Sequence, residues 1–296
     1  MAPLLYWQLD VFAECPLAGN GVAVFSDAQA LSPTLMQALT QELRQFESIF
    51  LIPGSQPQHY DARIFTMEEE LPFAGHPILG AAALLHHLHG PLAEQQAEWT
   101  LHLTAKSVRV STHRRGRGFY AQMDQGEAEF GERLSLAQAQ AIAAAFSLGA
   151  AALDPFYPAC VVSTGLPYLL LPVTAEGLAR ARQTQALDTQ LASCGAAFVF
   201  LLDVTAHEGR TWDPLGVIED IATGSAAGPV AAYLVELGLE RPDRPFTLHQ
   251  GRFLGRPSRL DVCVAGNGRI SVGGAVQLLS RAELLIDSDA LQNPAR

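Results

Sequence analysis

Apolar and polar positions along this chain alternate between two spacings. "YWQLDVF" (6–12) and "VAVFSD" (22–27) read as strands on either side of a Gly-Asn-Gly turn. "SPTLMQALTQELRQF" (32–46) changes to helical spacing, with Ser32 as N-cap and Pro33 at the first helical position. "ESIFLIP" (47–53) and "YDARIFT" (60–66) return to strand spacing. Residues 76–88 are apolar and rich in alanine, which predicts a buried helix. "EWTLHLTA", "SVRVST" and "GFYAQMDQ" then predict an antiparallel meander.

The polar, glycine-containing stretch "DQGEAEFGERL" (124–134) is the expected linker. Beyond it the order of elements partly repeats. A helix is expected at 135–147, strands at 158–164 and 167–173, a helix near 187–194, an apolar strand at 196–204 and a buried helix at 225–238. The last third is again strand-rich. A shift of 149 residues places Gly75 on Gly224, His76 on Ser225, Ala82 on Ala231 and Leu85 on Leu234. A shift of 150 places Phe50-Leu51 on Phe200-Leu201. The expectation is a duplicated architecture: an N-terminal lobe over 1–125 and a C-terminal lobe over 126–296, whose last residues are free to pack back on the first. An ordinary α+β chain with coincidental spacing is the alternative.

Two such lobes around a cleft would bring two helix starts to one ligand. Each start carries roughly half a positive charge and several free N–H groups, enough to bind an anion without lysine or arginine. Gly75 and Gly224 would let the backbone approach it closely.

Composition narrows the possibilities. With 296 residues, 49% of them hydrophobic, the chain can bury a large core. A formal net charge of −11 repels phosphate backbones and anionic lipid, so neither nucleic acid nor membrane is an expected partner. The basic run "HRRGRG" (113–118) reads as a hairpin turn. No apolar run approaches the ~20 residues that cross a bilayer, and the start resembles neither a signal nor a transit peptide; a cytoplasmic protein is expected. Cys15, Cys160, Cys194 and Cys263 form no CxxC pair. His86 and His89 share a helix face without a carboxylate or thiol nearby, a poor metal site, so no metal is expected.

Four side chains are candidates for chemistry. Glu47 sits among Phe46, Ile49 and Phe50; in an apolar cleft, desolvation would favour its protonated form and suit it to proton exchange. Spacing alone favours a solvated carboxylate at a helix–strand junction. His76 is a polar contact, a proton carrier or a cap. Asp220 orients a histidine, binds a cationic group or, as a turn aspartate, interacts with the following helix dipole. Ser225 reads, on spacing, as an N-cap.

"LDVFAECPLAGNGVAVF", "ESIFL", "ARIFTMEEELPFAGHPILGAA", "VSTGLPYLLLPV", "EDIATGSAAGPVAAYL" and "GRPSRLDV…ISVGGAV" resemble, in order and over nearly the whole chain, the PhzF-like family named for a phenazine-biosynthesis isomerase. The resemblance implies an α+β, diaminopimelate epimerase-like fold: two pseudo-symmetric lobes, each a β-sheet wrapped around a central helix, with the active site in the cleft between. It implies a homodimer without metal or organic cofactor. It assigns the family's motif glutamate to Glu47, its histidine to His76, its aspartate to Asp220 and its serine to Ser225. The epimerase relatives use two cysteines, and neither "FAGHP" nor "ATGSAAG" holds one. Gly21 replaces a customary proline, Phe46 a customary serine and Ile221 a customary proline, which affects pocket shape more than proton chemistry.

The expected function is therefore a cofactor-independent isomerase on a small carboxylate. Glu47 would act as general base and then general acid. His76 and Asp220 would position the reacting group, and Gly75, Gly224 and Ser225 would bind the carboxylate. An epimerase or hydrolase on the same scaffold, or a non-catalytic small-molecule-binding protein, is the alternative.

Overall fold

A computed structural model describes residues 4–90 and 96–285. In chain order, the strands and helices are β1 (Leu4–Val11), β2 (Asn20–Phe25), α1 (Pro33–Leu43), β3 (Ser48–Pro53), β4 (His59–Phe65), β5 (Glu70–Leu71), α2 (Gly75–His89), β6 (Gln96–His102), β7 (Ser107–Arg115) and β8 (Gly118–Gly126). There follow β9 (Glu129–Arg133), α3 (Leu136–Ala145), β10 (Cys160–Ser163), β11 (Pro167–Pro172), α4 (Ala175–Arg180), α5 (Asp188–Ser193), β12 (Phe198–Asp203), β13 (Glu208–Trp212), β14 (Glu219–Asp220), α6 (Gly224–Glu236), β15 (Phe246–Gln250), β16 (Ser258–Val264) and β17 (Ile270–Leu284). Two compact units result. The first runs up to Asp124 and resumes at Gly273; the second is Gln125–Val272.

The first unit is a sheet rolled around one helix. β1 lies antiparallel between β2, with Trp7 opposite Val24, and β17, with Leu4 opposite Leu284. β2 runs parallel to β3 through the α1 crossover, and β4 parallel to β6 through α2. β6, β7 and β8 form the expected meander, and the β8–β17 pairing closes the ring. The "HRRGRG" run is the β7–β8 hairpin, where Gly116 takes a left-handed φ of 62°. Every residue of α2 from Gly75 to His86 is buried, as its unbroken apolar character requires. Gly80 shows how close the strands come: a Cβ there would sit 2.8 Å from Val22 Cγ1. Outside the sheet, α1 lays Leu35, Met36 and Leu39 on Phe25, Phe50 and Phe65, with Phe25 stacked on Phe50 at 4.4 Å. Ser32 caps α1 by accepting from the Leu35 N–H.

The second unit repeats the plan. β11 runs parallel to β12, β12 antiparallel to β13, and β13 pairs with the short β14 and, parallel, with β15; β15 is antiparallel to β16. α6 packs on β10, β11 and β16 and is buried from Ala226 to Leu234. On the other face α3, α4 and α5 set Ile142, Leu178 and Leu191 against Leu169, Leu171, Val199 and Leu201.

The structure corrects the linker expectation. Residues 124–134 are the end of β8 and the whole of β9, which pairs antiparallel with β10 (Val162 opposite Phe130). α4 and β13 were not anticipated. The final residues assigned to the C-terminal lobe lie, beyond 285, outside the described residues. Among the described residues no helix is long and apolar enough to cross a membrane.

Candidate active site

The first unit gathers its candidates at the start of α2. Glu47 immediately precedes β3 and His76 is the second residue of α2. The parallel β2–β3 pairing brings Asn20 to the same place. Glu47 is buried, 6% exposed, so the solvated-junction reading does not hold. Its Oε2 lies 3.2 Å from His76 Nδ1, and the Asn20 side-chain amide lies 3.4 Å from the same nitrogen. Burial pushes the His76 pKa from 6.5 down to about 3, with hydrogen bonding to the Gly21 backbone pulling weakly the other way. The imidazole is therefore neutral near pH 7, and its 3.2 Å contact with Glu47 is a close polar approach rather than an ion pair. His76 is no cap: the N-cap residue is Ala74, and no side chain caps α2. His76 Nε2 and the Ser48 hydroxyl are buried without a hydrogen-bond partner among the described residues. A native interior rarely leaves such atoms unpaired, and each costs ~1–3 kcal/mol.

The second unit gathers Asp220, Gly224 and Ser225 at the start of α6. Asp220 Oδ2 accepts the Thr223 hydroxyl at 2.5 Å. Gln250 ties the same turn together, accepting the Thr223 N–H and donating to the Asp220 carbonyl and Thr223 Oγ1. Ser225 is not the N-cap, which is Thr223. Its hydroxyl lies 2.7 Å from the Tyr168 hydroxyl. Gln125 donates to the Gly224 carbonyl at 2.8 Å and accepts from Thr164 at 3.2 Å. A Cβ at position 228 would meet Gln125 Oε1 at 2.1 Å, so only glycine admits this clamp.

One device precedes both helices. Arg63 of β4 grips both carboxylate oxygens of Glu70 on β5, at 2.8 and 2.5 Å. Arg210 of β13 grips Glu219 on β14 in the same way, at 2.7 and 2.8 Å. Each guanidinium also covers an aromatic ring on its own strand, Phe65 or Trp212, at 5.4 or 4.6 Å. Each fork fixes the two-residue strand that leads, four residues on, into a helix start. Sequence reading missed these pairs, and it missed Asn20, Gln125, Tyr168, Thr223 and Gln250. The one available signal was the recurrence of Arg–x–aromatic at 63–65 and 210–212, each followed by a glutamate.

Away from these starts, the "HHLH" histidines are packing residues. His86 is buried with Nδ1 2.8 Å from Thr112 Oγ1, and His89 stacks on Tyr60. Among the described residues no three His, Cys, Asp or Glu side chains gather as metal ligands.

A sequence profile described as phenazine biosynthesis-like protein, PhzC-PhzF, matches residues 9–281. The chain belongs to that family. It is 30% identical over 300 residues to the trans-2,3-dihydro-3-hydroxyanthranilate isomerase of Pseudomonas fluorescens, covering 95% of this chain and 99% of the relative. A solved structure described as a predicted epimerase from Pseudomonas aeruginosa is 65% identical, with a TM-score of 0.93 over 96% of this chain and 100% of that one. A PhzF-family protein of Bacillus anthracis, 21% identical, superposes with a TM-score of 0.82 over 97% of this chain and 100% of the other. A probable proline racemase from Agrobacterium radiobacter shares the fold at 14% identity, with a TM-score of 0.67 over 97% and 95%. The fold is thus α+β and epimerase-like, and the family's named enzymes are isomerases.

Proposed function

We propose that this chain is an isomerase that moves a proton on a small carboxylate, with Glu47 as the carrier and no metal or organic cofactor. The observation that supports this most is the buried Glu47 carboxyl 3.2 Å from a neutral imidazole. A carboxylate held in an apolar setting takes a proton from a carbon next to an unsaturated system. The electron pair of the C–H bond shifts into that system and the double bond moves. The resulting carboxylic acid returns the proton to another carbon, so atoms and charge balance without an oxidant or reductant. His76 serves as a neutral hydrogen-bonding group, and its unpaired Nε2 is available to a polar atom of the substrate. Asp220 positions the reacting group. The N–H groups of Gly75, Gly224 and Ser225 take the carboxylate.

The test follows trans-2,3-dihydro-3-hydroxyanthranilate, the compound in the relatives' name, in deuterated water by proton NMR. Double-bond migration is expected, with deuterium entering the new C–H to the extent that the Glu47 acid exchanges with solvent before it returns its proton. Glu47→Gln should lower the rate by ~10²–10⁴-fold, the usual worth of a general acid–base, with the fold kept. Full activity in that variant would remove Glu47 from the chemistry. Exchange at an α-carbon with inversion and no bond migration would instead identify an epimerase.

A further inference from the structure

Each helix start holds a polar pair, and the two pairs differ in kind. Ser225 is the second residue of α6 as His76 is of α2. β11 pairs in parallel with β12 as β2 does with β3, placing Tyr168 opposite Phe198 as Ala23 stands opposite Ser48. The first unit thus sets a carboxyl beside the helix-start residue. The second sets a phenol there, 2.7 Å from Ser225 Oγ. The phenol is held firmly: Tyr168 is 3% exposed and its ring stacks on Phe198 at 5.3 Å and 24°.

The geometry allows either hydroxyl to donate; a phenol is a far stronger acid than an alkanol, with an ordinary pKa of about 10, which favours the tyrosine as donor and the serine oxygen as acceptor. A hydroxyl has one proton, and accepting from Tyr168 leaves that of Ser225 to donate elsewhere. Around it the turn is rigid. Gly224 is clamped by Gln125, and Thr223 by Asp220 and Gln250. We propose that Tyr168 is a positioning residue that turns the Ser225 hydroxyl proton, together with the N–H groups opening α6, toward a substrate carboxylate oxygen. This deepens the isomerase reading and rests on it. The Tyr168–Ser225 pair itself contains no carboxylate or imidazole, so the role proposed for it is anion binding rather than proton transfer.

Calorimetric titration of 2-aminobenzoate, a stable aromatic carboxylate, into the full chain tests the assignment. Ser225→Ala should weaken binding by about tenfold or more, Tyr168→Phe by about three- to tenfold, and the double variant no more than Ser225→Ala alone, because the proposed effect of the tyrosine on the ligand runs through the serine. Melting temperatures should stay near the parent's; a tyrosine with a merely structural role would lower the melting temperature and leave the affinity alone. Tyr168→Phe binding like the parent, or losses that multiply in the double variant, would overturn the proposal. Should Tyr168→Phe fail to fold, undiminished binding by Ser225→Ala overturns it alone. If the parent binds no 2-aminobenzoate the carboxylate assignment falls, while deuterium exchange still decides the role of Glu47.

Discussion

At the residue scale, Glu47 and His76 are both buried, and their closeness sets how the pair handles a proton. "ESIFL" and "FAGHP" mark both residues through family resemblance, but spacing favoured a wet glutamate. Only the parallel β2–β3 pairing and the burial of α2 put the carboxyl and the imidazole in contact. Tyr168 could not be found this way, since its partner lies 57 positions along the chain. The buried imidazole has a consequence for stability. With its pKa lowered from 6.5 to about 3, the folded state refuses a proton that the unfolded chain accepts. The unfolded state then binds more protons, so stability is full above about pH 6.5 and is lost as pH falls toward 3. The slope for one proton is ~1.4 kcal/mol per pH unit. Urea unfolding of the parent and of His76→Gln at pH 6.5 and 4.5 should show the variant's free energy falling less steeply by about that slope. Parallel lines would mean that His76 is not buried and neutral.

At the element scale, strands and helices were legible where side chains face one core, and illegible where backbone pairing or buried charge dominates. β9 is exposed at every residue, Glu129 to Arg133, and is held by its ladder to β10, so no alternation marks it. β13 is buried at every residue although it contains Glu208 and Arg210, because Arg210 is neutralised by Glu219 and donates to the Leu178 and Ala181 carbonyls. The two arginine forks invite a comparison at constant chemistry. Arg63 and Glu70 are 29% and 30% exposed, Arg210 and Glu219 only 3% and 12%. Breaking an exposed pair costs ~0–1 kcal/mol, whereas stranding a buried guanidinium costs ~3–5 kcal/mol. Glu219→Ala should therefore destabilise the chain several-fold more than Glu70→Ala, measured as unfolding free energy in urea. Equal losses would mean that the β14 fork is solvated in solution.

At the scale of the whole chain, the repeat visible as a 149-residue shift is a repeat of topology. β3-β4-β5-α2-β6-β7 and β12-β13-β14-α6-β15-β16 follow the same course, each with a parallel crossover through its buried helix. What the repeat could not indicate is where the first unit ends, because a shift in sequence says nothing of which strand completes which sheet. That unit is closed by the far end of the chain: β17 from Gly273 onward pairs with β1 along Leu4–Val11, and Ala275 and Val276 are buried in its core. Ending the chain after Val272 would leave β1 with an open edge and expose the apolar face around α2 to water. Such a truncation should lose cooperative unfolding of the first unit. Tryptophan emission from Trp7, which faces Arg281 across the β1–β17 ladder, should shift to longer wavelength, and a hydrophobic dye should bind. The loss should include Glu47 chemistry, since β2 and β3, which place Glu47 against His76, are neighbours of β1 in the same closed sheet. A truncated chain that melted cooperatively at the parent's temperature would mean that the sheet around α2 stands without its last strand.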